Sequence, residues 1–256
     1  MKTKFFDRIY LIFIYLFLYV PIFVLILYSF NESKYSVAWK GFSLKWYEKL
    51  FQNSSLVDAA INSVSIAFFS ASIATLLGTI GAVAIYRYHF RGKKFLKSMV
   101  YILILSPEIV MGIALLILFV LIGLKLGFFS LLIAHVTFCL PFVIVTVLSR
   151  LSGFDRSIIE AAKDLGASGF YTFSHIILPS IAPAVIAGFL LSFTLSLDDV
   201  IISFFVSGVE FEILPVKIFS MVRLGVKPEI NALCAIMFIV TIVIVWISQL
   251  LMKEKS

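Results

Sequence analysis

The chain has 256 residues, of which 62% are hydrophobic and 14% charged, and it carries 27 Phe. Its mean hydropathy is +1.11. A soluble domain carries about 25% charged residues, so this composition excludes a water-soluble enzyme and leaves a helical membrane protein. The formal charge of +7 does not indicate nucleic-acid binding, because the basic residues sit at the ends of apolar runs, as membrane topology requires.

A membrane span needs about 20 mostly apolar residues. Six runs qualify, roughly 9–30, 61–86, 98–122, 129–149, 181–207 and 231–252. One side of the membrane collects thirteen of the 21 Lys and Arg: Lys2, Lys4 and Arg8, the cluster Arg87 to Lys97, then Arg150, Arg156, Lys163, Lys253 and Lys255. The other side holds eight, including Lys34, Lys125, Lys217 and Lys227, spread over longer loops and mixed with acids. The expected architecture is therefore an all-α membrane protein of six transmembrane helices, N-in/C-in, forming a single domain over 1–256 with a cytoplasmic loop at 150–180.

Span one carries Pro21 near its middle, which predicts a kink tolerated by neighbouring groups. Its long apolar run, with no small-x-small site after it, does not read as a cleavable signal. In the following segment, Gly41 to Phe51 predicts an amphipathic helix capped by Ser43. Trp46 and Tyr47 of that helix suit an aromatic belt, and the helix also suits a lip at a substrate entrance. Span two is rich in small residues, Ser63 to Ala82, which let helix backbones approach closely and place it inside a bundle. The Arg87 to Lys97 cluster fits both topology signalling and anionic headgroups.

Span three contains Ser106-Pro107-Glu108, with Glu108 about 15 Å deep at helical rise. An acid there belongs toward the protein interior or a water-filled path, and the alternative is a neutral group tying helices together. A turn at Gly123 to Gly127 leads into span four, where His135 reads as a helix–helix hydrogen-bonding residue. Cys139 and Cys234 lie within spans and lack metal-type spacing, so they read as small buried residues.

The polar stretch Asp155 to Pro183 has its own punctuation. Ser157 and Glu160 fit a capping box that starts a helix near Ile158, and Gly166 is placed to end it. Ser168 is placed to cap a second short helix that Pro179 stops. Span five then reads through Ser196, Asp198 and Asp199, with Asp198 about 22 Å beyond Pro183. Adjacent helical residues diverge by about 100°, so the two aspartates are not expected to face one narrow path. Acids at Glu108, Asp198 and Asp199, with no deep Lys or Arg, favour cations over oxyanions. Spaced carboxylates suit organic polycations, with aromatic rings such as Trp46 adding cation–π contacts.

Glu160-Ala161-Ala162, Gly166 and Ile176-Ile177-Leu178-Pro179 together resemble the E-A-A…G…I-x-L-P cytoplasmic loop of permease subunits of binding-protein-dependent ABC importers. The resemblance implies a type I permease fold and a coupling role for Glu160, Ala161, Ala162, Gly166, Leu178 and Pro179 against a dimer of ATPase subunits. The stretches Ser192 to Gly208, Glu212 to Leu233 and Ala134 to Val143, with Trp46-Tyr47 and Ser106-Pro107-Glu108, resemble the second permease of spermidine/putrescine (polyamine) importers. That implies a second homologous permease, an extracytoplasmic polyamine-binding protein, and a bacterial cytoplasmic-membrane location. The acids and their neighbours themselves give an expected substrate pathway of Trp46, Glu108, Ser196, Asp198 and Asp199. No phosphate-binding loop, metal-ligand cluster or nucleophile constellation occurs, so ATP is used by a partner and the chain needs no cofactor. Thiamine or ferric iron as cargo, and a non-ABC ion-coupled carrier, stay open as alternatives.

Overall fold

The computed structural model describes residues 2–33, 38–223 and 228–253. Lys34, Lys227 and Lys255 lie outside the described residues. The described chain is helical, with no strand and a lone bridge between Asn31 and Phe42. It divides into two compact units, Met1–Asp58 with Lys217–Ser256, and Ala59–Val216.

In the first unit, α1 (Lys2–Ser29) packs on α12 (Pro228–Lys253), which also packs on α2 (Lys45–Gln52). α1 runs through Pro21 as one helix. α2 begins later than expected, with Leu44 at its N-cap, while Ser43 Oγ accepts only the Lys45 N–H at 3.2 Å. Trp46 does not lie open to an interface, for it is 3% exposed and its indole N–H donates to the Asn31 carbonyl at 2.7 Å. A buried indole N–H needs an acceptor, and the turn at Asn31 supplies one.

The second unit is built on α6 (Phe128–Ser152), which packs along α9 (Leu178–Asp198) and against α4 (Lys93–Leu105). The small residues of α3 (Ser54–Arg87) work as expected: a Cβ on Gly78 would stand 2.7 Å from Val143 Cβ of α6. Among the described residues, four helices are long and apolar enough to cross a membrane. A fifth crossing exists if α4 and α5 (Glu108–Leu121) count as one span. In α12 the apolar stretch is the shorter Glu229–Val243.

Two expected continuous spans are broken. The run 98–122 stops at Ser106-Pro107, and α4 and α5 meet there at 110°. Ser106 adopts the extended conformation that proline imposes on its predecessor. The run 181–207 stops at Asp199, whose ψ of 122° is extended, and a separate α10 (Ile201–Val206) comes next. In sequence, α11 (Leu214–Arg223) then separates α10 from α12. Neither glycine nor proline interrupts the run at Asp199. The aspartate side chain does.

Candidate functional site

Both helix breaks open onto one cavity of about 310 Å³, lined by Glu108, Phe138, Thr194, Leu195, Asp198, Asp199, Val200 and Ile201. Irregular backbone at membrane depth is tolerated where it is buried in protein or lines a cavity. Glu108 is the first residue of α5 and Asp198 the last of α9, and both are exposed. A helix C-terminus carries partial negative charge, so the end of α9 adds to Asp198. The two aspartates do line the same cavity. The 100° rule that separated them applies within a helix, and here the helix ends between them.

The aspartates have different surroundings. Asp199 is 6% exposed and accepts the Ser203 N–H at 2.8 Å, the Ser203 hydroxyl at 2.7 Å and the Ile202 N–H at 3.3 Å. The two N–H groups are otherwise unpaired donors at the start of α10. Behind it, His135 is 1% exposed and reaches Ser203 Oγ at 2.8 Å through Nε2 and Ser196 Oγ at 2.6 Å through Nδ1. Ser196 is joined in turn to Ser70 of α3 at 3.0 Å. Ser196 therefore lies behind the cavity and does not line it. Trp46 belongs to the other unit and is not among the lining residues.

His135 ties helices together, as expected of a lone histidine in a span, but its partners are not apparent from spacing alone. Thr194 was legible in principle, since it stands four residues before Asp198 and so shares its face. Phe138 stands three residues after His135 on α6, and one phenylalanine among 27 carries no signal of its own.

The polar loop forms a second candidate site. α7 (Arg156–Asp164) starts two residues earlier than the Ser157 capping box implied. Asp155 caps it instead, accepting the Ser157 N–H at 2.9 Å. That backbone bond, with one from the Ser157 side chain, holds the exposed Asp155 carboxyl below its ordinary pKa. Gly166 ends the helix with φ +78°, as expected. Its N–H reaches the Lys163 carbonyl at 2.8 Å and the Ala167 N–H reaches Ala162 at 2.9 Å, the two bonds of a Schellman closure.

Ser168 caps α8 (Gly169–Tyr171) by accepting the Tyr171 N–H at 3.2 Å. Pro179 does not stop the second helix, contrary to expectation. A π-helical turn, Thr172–Ile177, carries α8 into α9 and shifts the hydrogen-bond register, so that the Leu178 N–H reaches Phe173. A wider turn removes the clash that proline causes in an α register. Glu160, Ala161, Gly166 and Pro179 are exposed, Leu178 is half-buried and Ala162 turns inward with Ile159. Beside them Leu165 is 89% and Phe170 79% exposed, and a groove of about 490 Å³ runs past Gly166, Tyr171 and Ile176.

The family model for the binding-protein-dependent transport system inner membrane component matches residues 74–253. The chain belongs to that family.

This permease is 53% identical over 256 residues to the spermidine/putrescine transport system permease protein PotC of Haemophilus influenzae, covering 100% of each chain. It is 56% identical over 243 residues to PotC of Escherichia coli K12, covering 95% of this chain and 92% of that one. With the putrescine transport system permease protein PotI of Escherichia coli K12 it shares 44% over 227 residues, 86% of this chain and 81% of the other. Among solved structures, a chain of a bacterial ABC transporter involved in the import of the acidic polysaccharide alginate matches with a TM-score of 0.76 at 16% identity. That match covers 98% of this chain and 95% of the other. A chain of the MetNI methionine ABC transporter, in an inward-facing conformation, matches at 0.68 and 15% identity, over 78% of this chain and 96% of that one. The permease is thus a multi-pass inner-membrane transport protein and not an enzyme.

Proposed function

We propose that this permease forms half of the translocation path of an ATP-driven importer for polyamines, spermidine and putrescine. The observation that carries the reading is the cavity in which Glu108, Asp198 and Asp199 converge at two helix ends. Three carboxyl groups around 310 Å³ attract an amine-bearing cation, with the exposed Glu108 and Asp198 as its charge-assisted acceptors. An oxyanion would meet the same groups with repulsion. Near full-length similarity to permeases named for spermidine and putrescine supports this cargo. Six spans with both termini cytoplasmic, in one functional domain, complete the expected architecture. A second, homologous permease faces the exposed Glu108 and Asp198, and an extracytoplasmic polyamine-binding protein delivers the cation.

Energy enters at the cytosolic loop. Leu165 and Phe170 present bare apolar surface beside the Glu160-Ala161 face, and such surface seeks a protein groove. That groove belongs to the ATPase dimer, whose closure moves the loop and opens the cavity outward. Asp198 and Glu108 take the cation in turn, while Asp199 holds the helix break.

The deciding experiment is uptake of radiolabelled spermidine by the reconstituted complex, competed by putrescine, thiamine and ferric iron. Competition by putrescine alone supports the reading. Uptake of thiamine or iron in preference to either polyamine overturns it.

A further inference from the structure

A cavity of about 710 Å³ opens in the second unit between the end of α3, the start of α4 and the end of α6. Its lining changes character along α4. Lys93 and Lys97, one turn apart on the same face, stand at one end. Tyr101 and Ser149 add hydroxyls, and Val100, Ile144, Val145 and Leu148 form an apolar wall. No Asp or Glu is among the lining residues. Lys93 Nζ donates to the Tyr88 carbonyl at 3.0 Å, and neither lysine is paired with a carboxylate among the described residues. Lys93 to Tyr101 is about 12 Å at helical rise, so charge gives way to hydrocarbon over the upper part of one acyl chain.

We propose that this cavity seats an anionic phospholipid, its phosphate on Lys93 and Lys97 and its acyl chain along the wall of Val100, Ile144 and Val145. Charge complementarity selects the headgroup, and α4 is half of a candidate membrane span, so lipid is the solvent at hand. A free phosphate would satisfy the lysines but leave the apolar wall facing water. Arg87, Arg91 and Lys94 lie near in sequence without lining the cavity. This inference does not depend on the cargo.

The test uses the assembled transporter in vesicles of phosphatidylcholine with a minor share of phosphatidylglycerol. It is then extracted in mild detergent, and the lipid that co-purifies is counted by mass spectrometry. A lysine beside an anionic lipid strengthens association about fivefold, so wild type is expected to retain phosphatidylglycerol enriched several-fold over the vesicle ratio. Lys93→Gln with Lys97→Gln returns to the vesicle ratio, whereas Lys93→Arg with Lys97→Arg keeps the enrichment. Arg91→Gln with Lys94→Gln removes equal charge beside the cavity and also keeps it. Wild type at the vesicle ratio, inorganic phosphate bound without lipid, or equal loss from the two glutamine pairs would overturn the proposal.

Discussion

His135 and Asp199 lie 3.6 Å apart in the second unit, and the Ser203 hydroxyl is bonded to both. Ser203 has one proton and gives it to Asp199, so His135 Nε2–H donates to Ser203. Nδ1 shares the next hydrogen bond with the Ser196 hydroxyl at 2.6 Å, and Ser196 meets Ser70, whose hydroxyl also donates to the Ala67 carbonyl at 3.3 Å. These hydrogen bonds join α3, α6, α9 and α10.

His135→Ala is expected to take one partner each from the Ser196 and Ser203 hydroxyls, which keep Ser70 and Asp199, at a cost of about 0.5–1.5 kcal/mol per lost bond. Thermal unfolding of the detergent-solubilised complex should show the loss, with uptake falling alongside. His135→Gln restores one of the two bonds and should recover part of the midpoint.

The two aspartates should separate by phenotype. Asp199→Ala removes the acceptor for two backbone donors of α10, a loss of about 0.5–2 kcal/mol by analogy with helix caps, and should lower the amount of assembled complex. Asp198→Asn removes only charge from an exposed cavity wall. Complex should assemble normally and uptake should fall about tenfold or more, with Glu108→Gln behaving alike. Normal uptake in the combined Asp198→Asn and Glu108→Gln protein would exclude the cavity as the path.

At the cytosolic loop, Gly166 sits at φ +78°. A β-branched residue there is strained by about 1–2 kcal/mol, so Gly166→Val should disturb the Schellman closure and weaken retention of the ATPase in a pull-down. Glu160→Ala leaves the fold intact and should uncouple ATP hydrolysis from uptake.

Gly78→Leu should be among the most damaging single changes in α3. The first added atom already stands 2.7 Å from Val143 Cβ and Cγ1, and overpacking of this kind costs about 1–3 kcal/mol. Membrane accumulation and thermal midpoint should both drop, while Gly81→Ala, whose Cβ would meet Ile144 at 3.8 Å, should be near neutral.

The Lys125–Glu210 pair, at 2.8 Å, gives the opposite expectation. Each partner shifts the other toward its charged form, raising the Lys125 pKa and lowering that of Glu210. Both side chains are fully in solvent, however, where such pairs contribute little. Lys125→Ala should leave the thermal midpoint unchanged.

Much of this molecule is determined by hydrophobic length and small local signals. Apolar runs placed the helices, Gly166 and Ser168 marked loop turns that the backbone adopts, and a lone histidine in a span implied a hydrogen-bonded tie. The acids at 108, 198 and 199 gave the cavity its sign before any geometry was known. What the linear chain did not disclose is where a run stops being one helix. Pro21, Pro141 and Pro183 lie within continuous helices, whereas Pro107 divides two that meet at 110°. At Asp199 neither proline nor glycine marks the break. In lipid a helix ends only where something else satisfies its freed N–H and C=O groups, and here the Asp199 carboxylate takes the Ile202 and Ser203 N–H groups, while the Ser203 hydroxyl joins it to a histidine from another span. Hydropathy is a property of neighbours in sequence, whereas satisfaction of the backbone depends on neighbours in space, so the joining of Glu108 to Asp198 awaited the tertiary structure.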